Sequence, residues 1–199
     1  MKTLAVYCGA APGADPVYAD AARALARSLV EQNIGLVYGG GKVGLMGVIA
    51  DEVLRLGGEA SGVIPRALME REVGHTGLTR LFVVKDMHER KAMMSDLSEG
   101  FIAMPGGMGT LEELFEMVTW SQLGIHAKPI GLLNVNGFWD GLRAFVRHQC
   151  EQGFVRPEHE GLMLAASEPD ALIRQLRAAA AAAAAAGAPD AAAAKGLRG

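Results

Sequence analysis

The sequence predicts an α/β fold: a doubly wound parallel sheet with helices on both faces. Three observations predict it. Short apolar runs recur along the chain, segments of helical period lie between them, and two of the runs end in glycine-rich turns. Runs apolar throughout are strands buried on both faces, the mark of a parallel sheet.

The strand candidates are LAVYCGA (4–10), GLVYGGG (35–41), ASGVIP (60–65), LFVVKD (81–86), FIAMPGG (101–107), PIGLLN (129–134) and LMLAAS (162–167). Asp15-Pro16 opens the first helix, an N-cap followed by proline at the first helical position. Beyond it Val17, Ala21, Leu25 and Leu29 line one face, and Arg23, Arg27 and Glu31 another. Asp86 with Glu89 forms a capping box for a helix running to about Glu99. Strand–helix alternation at this period gathers ligands beyond the carboxyl ends of the strands. Residues 1–177 read as one α/β domain. Residues 178–199 are an alanine-rich tail, expected to extend the last helix for a few turns and then fray.

Composition narrows the functions. The 199 residues are 50% hydrophobic and 21% charged, enough for a real core. A net charge of -3 leaves no broad basic face for nucleic acid or anionic lipid. Cys8 and Cys150 make neither a disulfide framework nor a zinc site, and no His, Cys or carboxylate cluster has ligand spacing, so no metal is expected. Cys8 ends an apolar run and reads as a small core residue. The N-terminal run is too short for a signal peptide, and nothing approaches the ~20 apolar residues that span a bilayer. A cytoplasmic protein is expected.

YGGGKVGLMG (38–47) contains G-x-G-x-x-G at Gly39, Gly41 and Gly44, a weak sign of dinucleotide binding by itself. Glu59, about 20 residues on, precedes the next strand, whereas a ribose-binding acid belongs at that strand's carboxyl end. There the chain reads Ile64-Pro65-Arg66. The Walker pattern fails too, because Leu45 and Met46 follow Gly44. What survives is phosphate binding, for which Gly40 and Gly41 in this loop and Gly106 to Gly109 in the second are the candidates. Glycine turns leading into helices bring backbone N–H groups close to an anion.

Thr110-Leu111-Glu112-Glu113 matches a capping box, in which Glu113 satisfies only an orphan N–H. Arg90 weighs against that reading. It shares a helical stripe with Met93, Met94 and Leu97, near a helix start that disfavours a cation, so it needs an anion to face. A structural salt bridge would satisfy that need as well as a ligand would. Lys91 points elsewhere and reads as a solvated charge. His75, His88 and His126 read as surface or supporting residues, outside catalysis.

PGGMGTLEE resembles the PGGxGTxxE signature of the LONELY GUY (LOG) family, cytokinin riboside 5'-monophosphate phosphoribohydrolases. Many bacterial members have been labelled lysine decarboxylases. The resemblance runs through YCGAAPG, YGGGKVGLMG, VIP, DMHERKAMM, WSQLGIHAKPIGLLN and GFWDGL, covering about residues 1–177. It implies a modified Rossmann-like fold, a homodimer, and hydrolysis of N6-modified adenosine 5'-monophosphate to free base and ribose 5-phosphate without a cofactor. The family's essential pair falls on Arg90 and Glu113. Its nucleotide contacts fall on Glu72, Arg90, Lys91, Gly107, Met108, Gly109, Thr110, Leu111, Glu112, Glu113 and Thr119. Ala10 and Ala11 stand where the family commonly has serines, so ligand hydrogen bonds from that turn must come from backbone.

Three other readings compete. A decarboxylase would need pyridoxal phosphate on a Schiff-base lysine, and none of Lys42, Lys85, Lys91 and Lys128 has that context. A non-catalytic nucleotide-binding module would have no use for Glu113. A general AMP nucleosidase would differ only around N6, for which Met87, Met93 and Trp120 are the lining candidates.

Overall fold

The computed structural model describes residues 1–69 and 74–187. Its sheet has seven strands: β1 (Thr3–Tyr7), β2 (Gly35–Tyr38), β3 (Ala60–Pro65), β4 (Arg80–Val84), β5 (Phe101–Ala103), β6 (Ile130–Leu133) and β7 (Met163–Ala166). The helices are α1 (Val17–Glu31), α2 (Gly44–Arg55), α3 (Arg66–Met69), α4 (Met87–Asp96), α5 (Met108–Gln122), α6 (Asp140–Glu151), α7 (Pro157–Glu160) and α8 (Pro169–Ala185). Every strand pairing is parallel, and the spatial order is β4-β3-β2-β1-β5-β6-β7. All seven sequence candidates are strands, trimmed where glycine and proline turn the chain.

Alternation along each strand builds two cores. Leu4 and Val6 of β1 point into one, with Leu36 and Tyr38, under α1, α2 and α8. Ala5 and Tyr7 point into the other, with Val37 and Phe101, against Met94, Leu114 and Met117 of α4 and α5. A strand apolar on both sides is what this period-2 geometry requires of a sandwiched sheet. The winding reverses at β1: the chain steps outward through β2, β3 and β4, then returns to place β5 on the other side of β1. That reversal opens a crevice beyond the carboxyl ends of β1 and β5.

Local signals shift by small amounts. Asp15 Oδ1 accepts the Val17 N–H at 2.9 Å, so Asp15 caps α1 as its side chain suggests. The deepest residues of α1 are Ala22, Leu25, Ala26 and Leu29, a stripe rotated slightly from the one the spacing suggests. Asp86 Oδ1 accepts from the N–H groups of His88 and Glu89, while the Glu89 carboxylate reaches back to the Lys85 N–H rather than to that of Asp86. Those N–H groups, Glu89's first, hold the Asp86 carboxyl below its usual range. α4 stops at Asp96, earlier than expected. α8 runs unbroken from the docked residues Leu172, Ile173 and Leu176 into the alanine run as far as Ala185; the fraying expected beyond falls on residues 188–199, outside the described ones.

Three carboxyl-end loops are stitched together. The Gly9 N–H donates to Pro105 O at 3.1 Å, and the Leu45 N–H donates to Gly9 O at 3.0 Å. Gly44 opens α2 at φ +62, and a Cβ there would overlap the Ala10 backbone. Because both partners are main chain, little can relax. Gly44→Ala should therefore lose about 1–3 kcal/mol of unfolding free energy, read from urea titration against the unmodified protein.

Candidate active site

The first residues of α5 lie in this crevice. Gly107 caps the helix in extended conformation without any side-chain hydrogen bond, and its carbonyl receives the Leu111 N–H. The N–H groups of Met108, Gly109 and Thr110 are thus the first-turn donors that no earlier helical carbonyl can accept. The helix dipole adds partial positive charge there. Gly106 sits tight beneath: a Cβ would overlap Thr110 Oγ1 and come within 2.9 Å of Gly9 N.

Beside this helix start is a cleft of about 180 Å³ lined by Cys8, Ala10, Met46, Met87, Arg90, Gly107, Gly109, Thr110, Glu112 and Glu113. Ala10 and Gly107 also line an adjoining, more apolar cleft of about 320 Å³ that includes Tyr18, Leu45 and Phe138. Arg90 Nη2 is 3.4 Å from Glu113 Oε1, and their side chains are only 8% and 10% exposed. The same nitrogen donates to Gly39 O at 3.4 Å, and Nη1 to Met87 Sδ at 3.7 Å, while Nε has no hydrogen-bond partner among the described residues. A buried guanidinium with long bonds retains donor capacity toward an anion.

Several expected site residues take other places. The capping box does not form, because α5 begins at Met108; Thr110 and Glu113 lie inside the helix and Glu113 meets Arg90 instead. Lys91 is not a solvated charge. It is buried, hydrogen-bonded to Glu112 and 3.0 Å from Glu116 Oε2. Burial pushes its ammonium down, but the Glu112 carboxylate that accepts its hydrogen bond and the neighbouring Glu116 carboxylate outweigh this and raise it above the usual lysine range. Gly40, at φ +77, packs on Ile64 and accepts the His75 N–H, and Gly41 bridges to Gly74. Both belong to the frame of the β2 loop rather than to the cleft lining.

Met108 is 83% exposed at the helix start, and Leu111 packs half-buried against the α4/α5-side core. Thr119 is exposed, about 16 Å along the helix from Met108. Of the N6-lining candidates Met87 reaches the cleft, whereas Met93 and Trp120 pack on the core. Glu72 lies outside the described residues. His75 and His126 are buried rather than at the surface: His75 Nε2 is 2.8 Å from Asp51 Oδ1, and His126 Nδ1 accepts the Lys128 N–H.

The sequence reading missed three residues beneath the cleft: Tyr7, the crevice-lining face of Cys8, and Glu116. Burial, reinforced by Glu113 and Glu116 and opposed by Arg90, pushes the Tyr7 phenol well above its usual range. Burial, then Glu113, does the same to the Cys8 thiol, so both stay neutral. Only Tyr7's place at the carboxyl end of β1, the central strand, could have signalled its position.

An uncapped helix start and a buried arginine–glutamate pair thus meet at the switch point of a doubly wound α/β sheet. The pattern of a family described as "Possible lysine decarboxylase" matches residues 46–176. A probable cytokinin riboside 5'-monophosphate phosphoribohydrolase of Oryza sativa subsp. japonica is 47% identical over 88% of this chain and 72% of its own. A cytokinin riboside 5'-monophosphate phosphoribohydrolase of Arabidopsis thaliana is 46% identical over 88% of this chain and 81% of its own. The molybdenum cofactor carrier protein of Chlamydomonas reinhardtii shares the fold, with TM-score 0.68 at 18% identity over 90% of this chain and 98% of that one. The molybdenum cofactor binding protein of Rippkaea orientalis does likewise, with TM-score 0.66 at 20% identity over 88% and 95%. The chain belongs to the LOG family of cytokinin riboside 5'-monophosphate phosphoribohydrolases.

Gly39 makes room for the pair, since a Cβ on it would overlap the Arg90 guanidinium. Gly39→Ala should push Arg90 Nη2 more than 4 Å from Glu113, which a crystal structure of the variant would reveal.

Proposed function

We propose that the protein hydrolyses the N-glycosidic bond of N6-modified adenosine 5'-monophosphate, a cytokinin riboside 5'-monophosphate, to free base and ribose 5-phosphate. The observation that carries this is Glu113 held 3.4 Å from buried Arg90 beside the uncapped start of α5. The relatives' names supply the substrate class; the site supplies a means of acting on it.

The 5'-phosphate binds the backbone donors of Gly107, Met108, Gly109 and Thr110, with Gly106 allowing the close approach. Because Ala10 lacks a hydroxyl, the β1 turn contributes only backbone and shape. Remote binding of the phosphate holds the glycosidic carbon at the catalytic carboxylate, which is how binding energy becomes rate. As the base departs, the sugar acquires oxocarbenium character. The Glu113 carboxylate faces that charge and polarises the attacking water. Arg90 keeps Glu113 ionised and oriented, and turns its remaining donors toward the nucleotide.

Two rival readings each meet a feature against them, the decarboxylase label first. Lys91 is an ammonium tied to two carboxylates, the opposite of a lysine poised to form a Schiff base. A purely binding module would gain nothing from burying Glu113 against Arg90. The same reading sets the reaction in the cytoplasm, where nucleoside monophosphates are made; no helix among the described residues is long and apolar enough to cross a membrane. With a net charge of -3, nucleic acid is an unsuitable partner.

The test is base release, followed by chromatography, from AMP and from isopentenyl-AMP. Preference for the modified nucleotide supports the proposal, and equal rates would make the protein a general AMP nucleosidase. Glu113→Gln should lower turnover by roughly 10²–10⁴-fold while AMP still binds. Arg90→Ala should lose turnover as well. Nucleotide returned intact by the unmodified protein would overturn the assignment.

We also infer a homodimer. Met108, Phe115 and Thr119 of α5 and Leu123, its C-cap, fall on one stripe, whose apolar members are 83%, 37% and 69% exposed in the order Met108, Phe115 and Leu123. Sedimentation equilibrium should give twice the chain mass of 20.9 kDa, and Phe115→Glu should shift it toward the monomer.

A further inference from the structure

Outside the signature, α5 carries a third acidic residue, Glu116, one turn beyond Glu112 and three residues beyond Glu113. Its side chain is 21% exposed, and Oε2 is shielded from solvent 3.0 Å from Lys91 Nζ. Lys91 follows Arg90 on α4, so two consecutive cations meet three carboxylates of the neighbouring helix. The cations are sorted: Arg90 reaches Glu113, and Lys91 reaches Glu112 and Glu116.

The carboxylates differ in depth. Glu112 is 51% exposed and lines the cleft, whereas Glu116 lies further along the helix and does not line it. One carboxylate would suffice to neutralise Lys91. The second decides where the ammonium sits. The Lys91 ammonium is thus paired with Glu112 at the cleft wall and with Glu116 further along the helix. Without that anchor Lys91 would swing toward Glu113 and compete with Arg90, whose own bonds to the glutamate and to Gly39 are long.

Resting on the hydrolase reading, we propose that Glu116 is a positioning residue for glycosidic cleavage: it anchors Lys91, which steadies Glu112 at the cleft wall and keeps the ammonium from disturbing the Arg90–Glu113 pair. The charged groups paired across this face include Arg90 with Glu113, and Lys91 with Glu112 and Glu116. From β1, Tyr7 and Cys8 face Glu113 as neutral groups, which burial keeps protonated. Signs follow from Coulomb's law. Removing Glu116 takes a like charge from Glu113 and frees Lys91 toward it, so Glu113 ionises at lower pH. Removing Lys91 does the reverse.

The experiment measures kcat/KM against pH on isopentenyl-AMP for the full chain, with thermal melting of each variant. Glu116→Gln should cut plateau kcat/KM on the order of tenfold and move the acid limb down by about half a pH unit or more. Lys91→Met should move that limb up by a similar amount, and the double variant should return it near the original position. Glu116→Asp should recover part of the lost rate. Lower melting temperatures with an unmoved limb in both single variants would reduce Glu116 to a packing residue and overturn the proposal. An unmodified protein that releases no base would sink the hydrolase reading itself and this assignment with it; turnover with unmoved limbs sinks the assignment alone.

Discussion

A buried guanidinium must have an anion, and this fold brings Arg90 its anion from another element. Arg90 comes from α4 and Glu113 from α5, and the strand between those helices, β5, ends in the glycine turn that starts α5. The contact therefore exists only if β5 returns to pair with β1 and its loop turns sharply enough to bring α5 back along the crevice. Gly39, Gly44 and Gly106 are small for that reason, each lying against an atom that a side chain would displace. The apolar layers beneath, with residues such as Leu4, Ile102 and Leu132 fully buried, supply the stability that lets the rim be strained and polar.

Charge is concentrated on the same face. Several other ion pairs are peripheral, as with Arg23–Asp20 and Arg156–Glu158, whose side chains are largely exposed and contribute little. At α4 and α5 the pairs are shielded, where breaking one partner leaves an uncompensated charge. The asymmetry makes chemical sense. A site that develops positive charge on a sugar needs a carboxylate that stays ionised, and sheltered cations can ensure this without contacting the sugar.

The strands were legible because a sheet buried on both faces writes itself as continuous apolar runs, and the glycine turns marked where those runs ended. Arg90 was legible because its helical stripe was otherwise apolar. Lys91 was not: its own helix puts it off that stripe, and its burial depends on α5 folding over it, which no local pattern encodes. Glu113 read equally as a cap because Thr110 lies three residues before it; only the actual start of α5 at Met108 separates the readings. Gly40 and Gly41 looked like a phosphate cradle, yet they face β3 and Gly74, because the loop closes toward the β3 side rather than toward β5. Thr119 entered through resemblance alone, and within one chain it lies far from the cleft.

The unused capping potential of α5 ties these strands of reasoning together. A serine or aspartate in place of Gly107 would offer an acceptor to the first-turn N–H groups, and such caps contribute about 1 kcal/mol. Here the acceptor is a glycine without a side chain, so those donors stay available to a phosphate. The same helix then spends its next turn on Glu112, Glu113 and Glu116, which its own positive end tolerates and the cations of α4 hold in place. In the proposed reaction one helix receives an anion at its start and stabilises a cationic sugar a turn later. For hydrolysis of a nucleotide those are the two charges that matter.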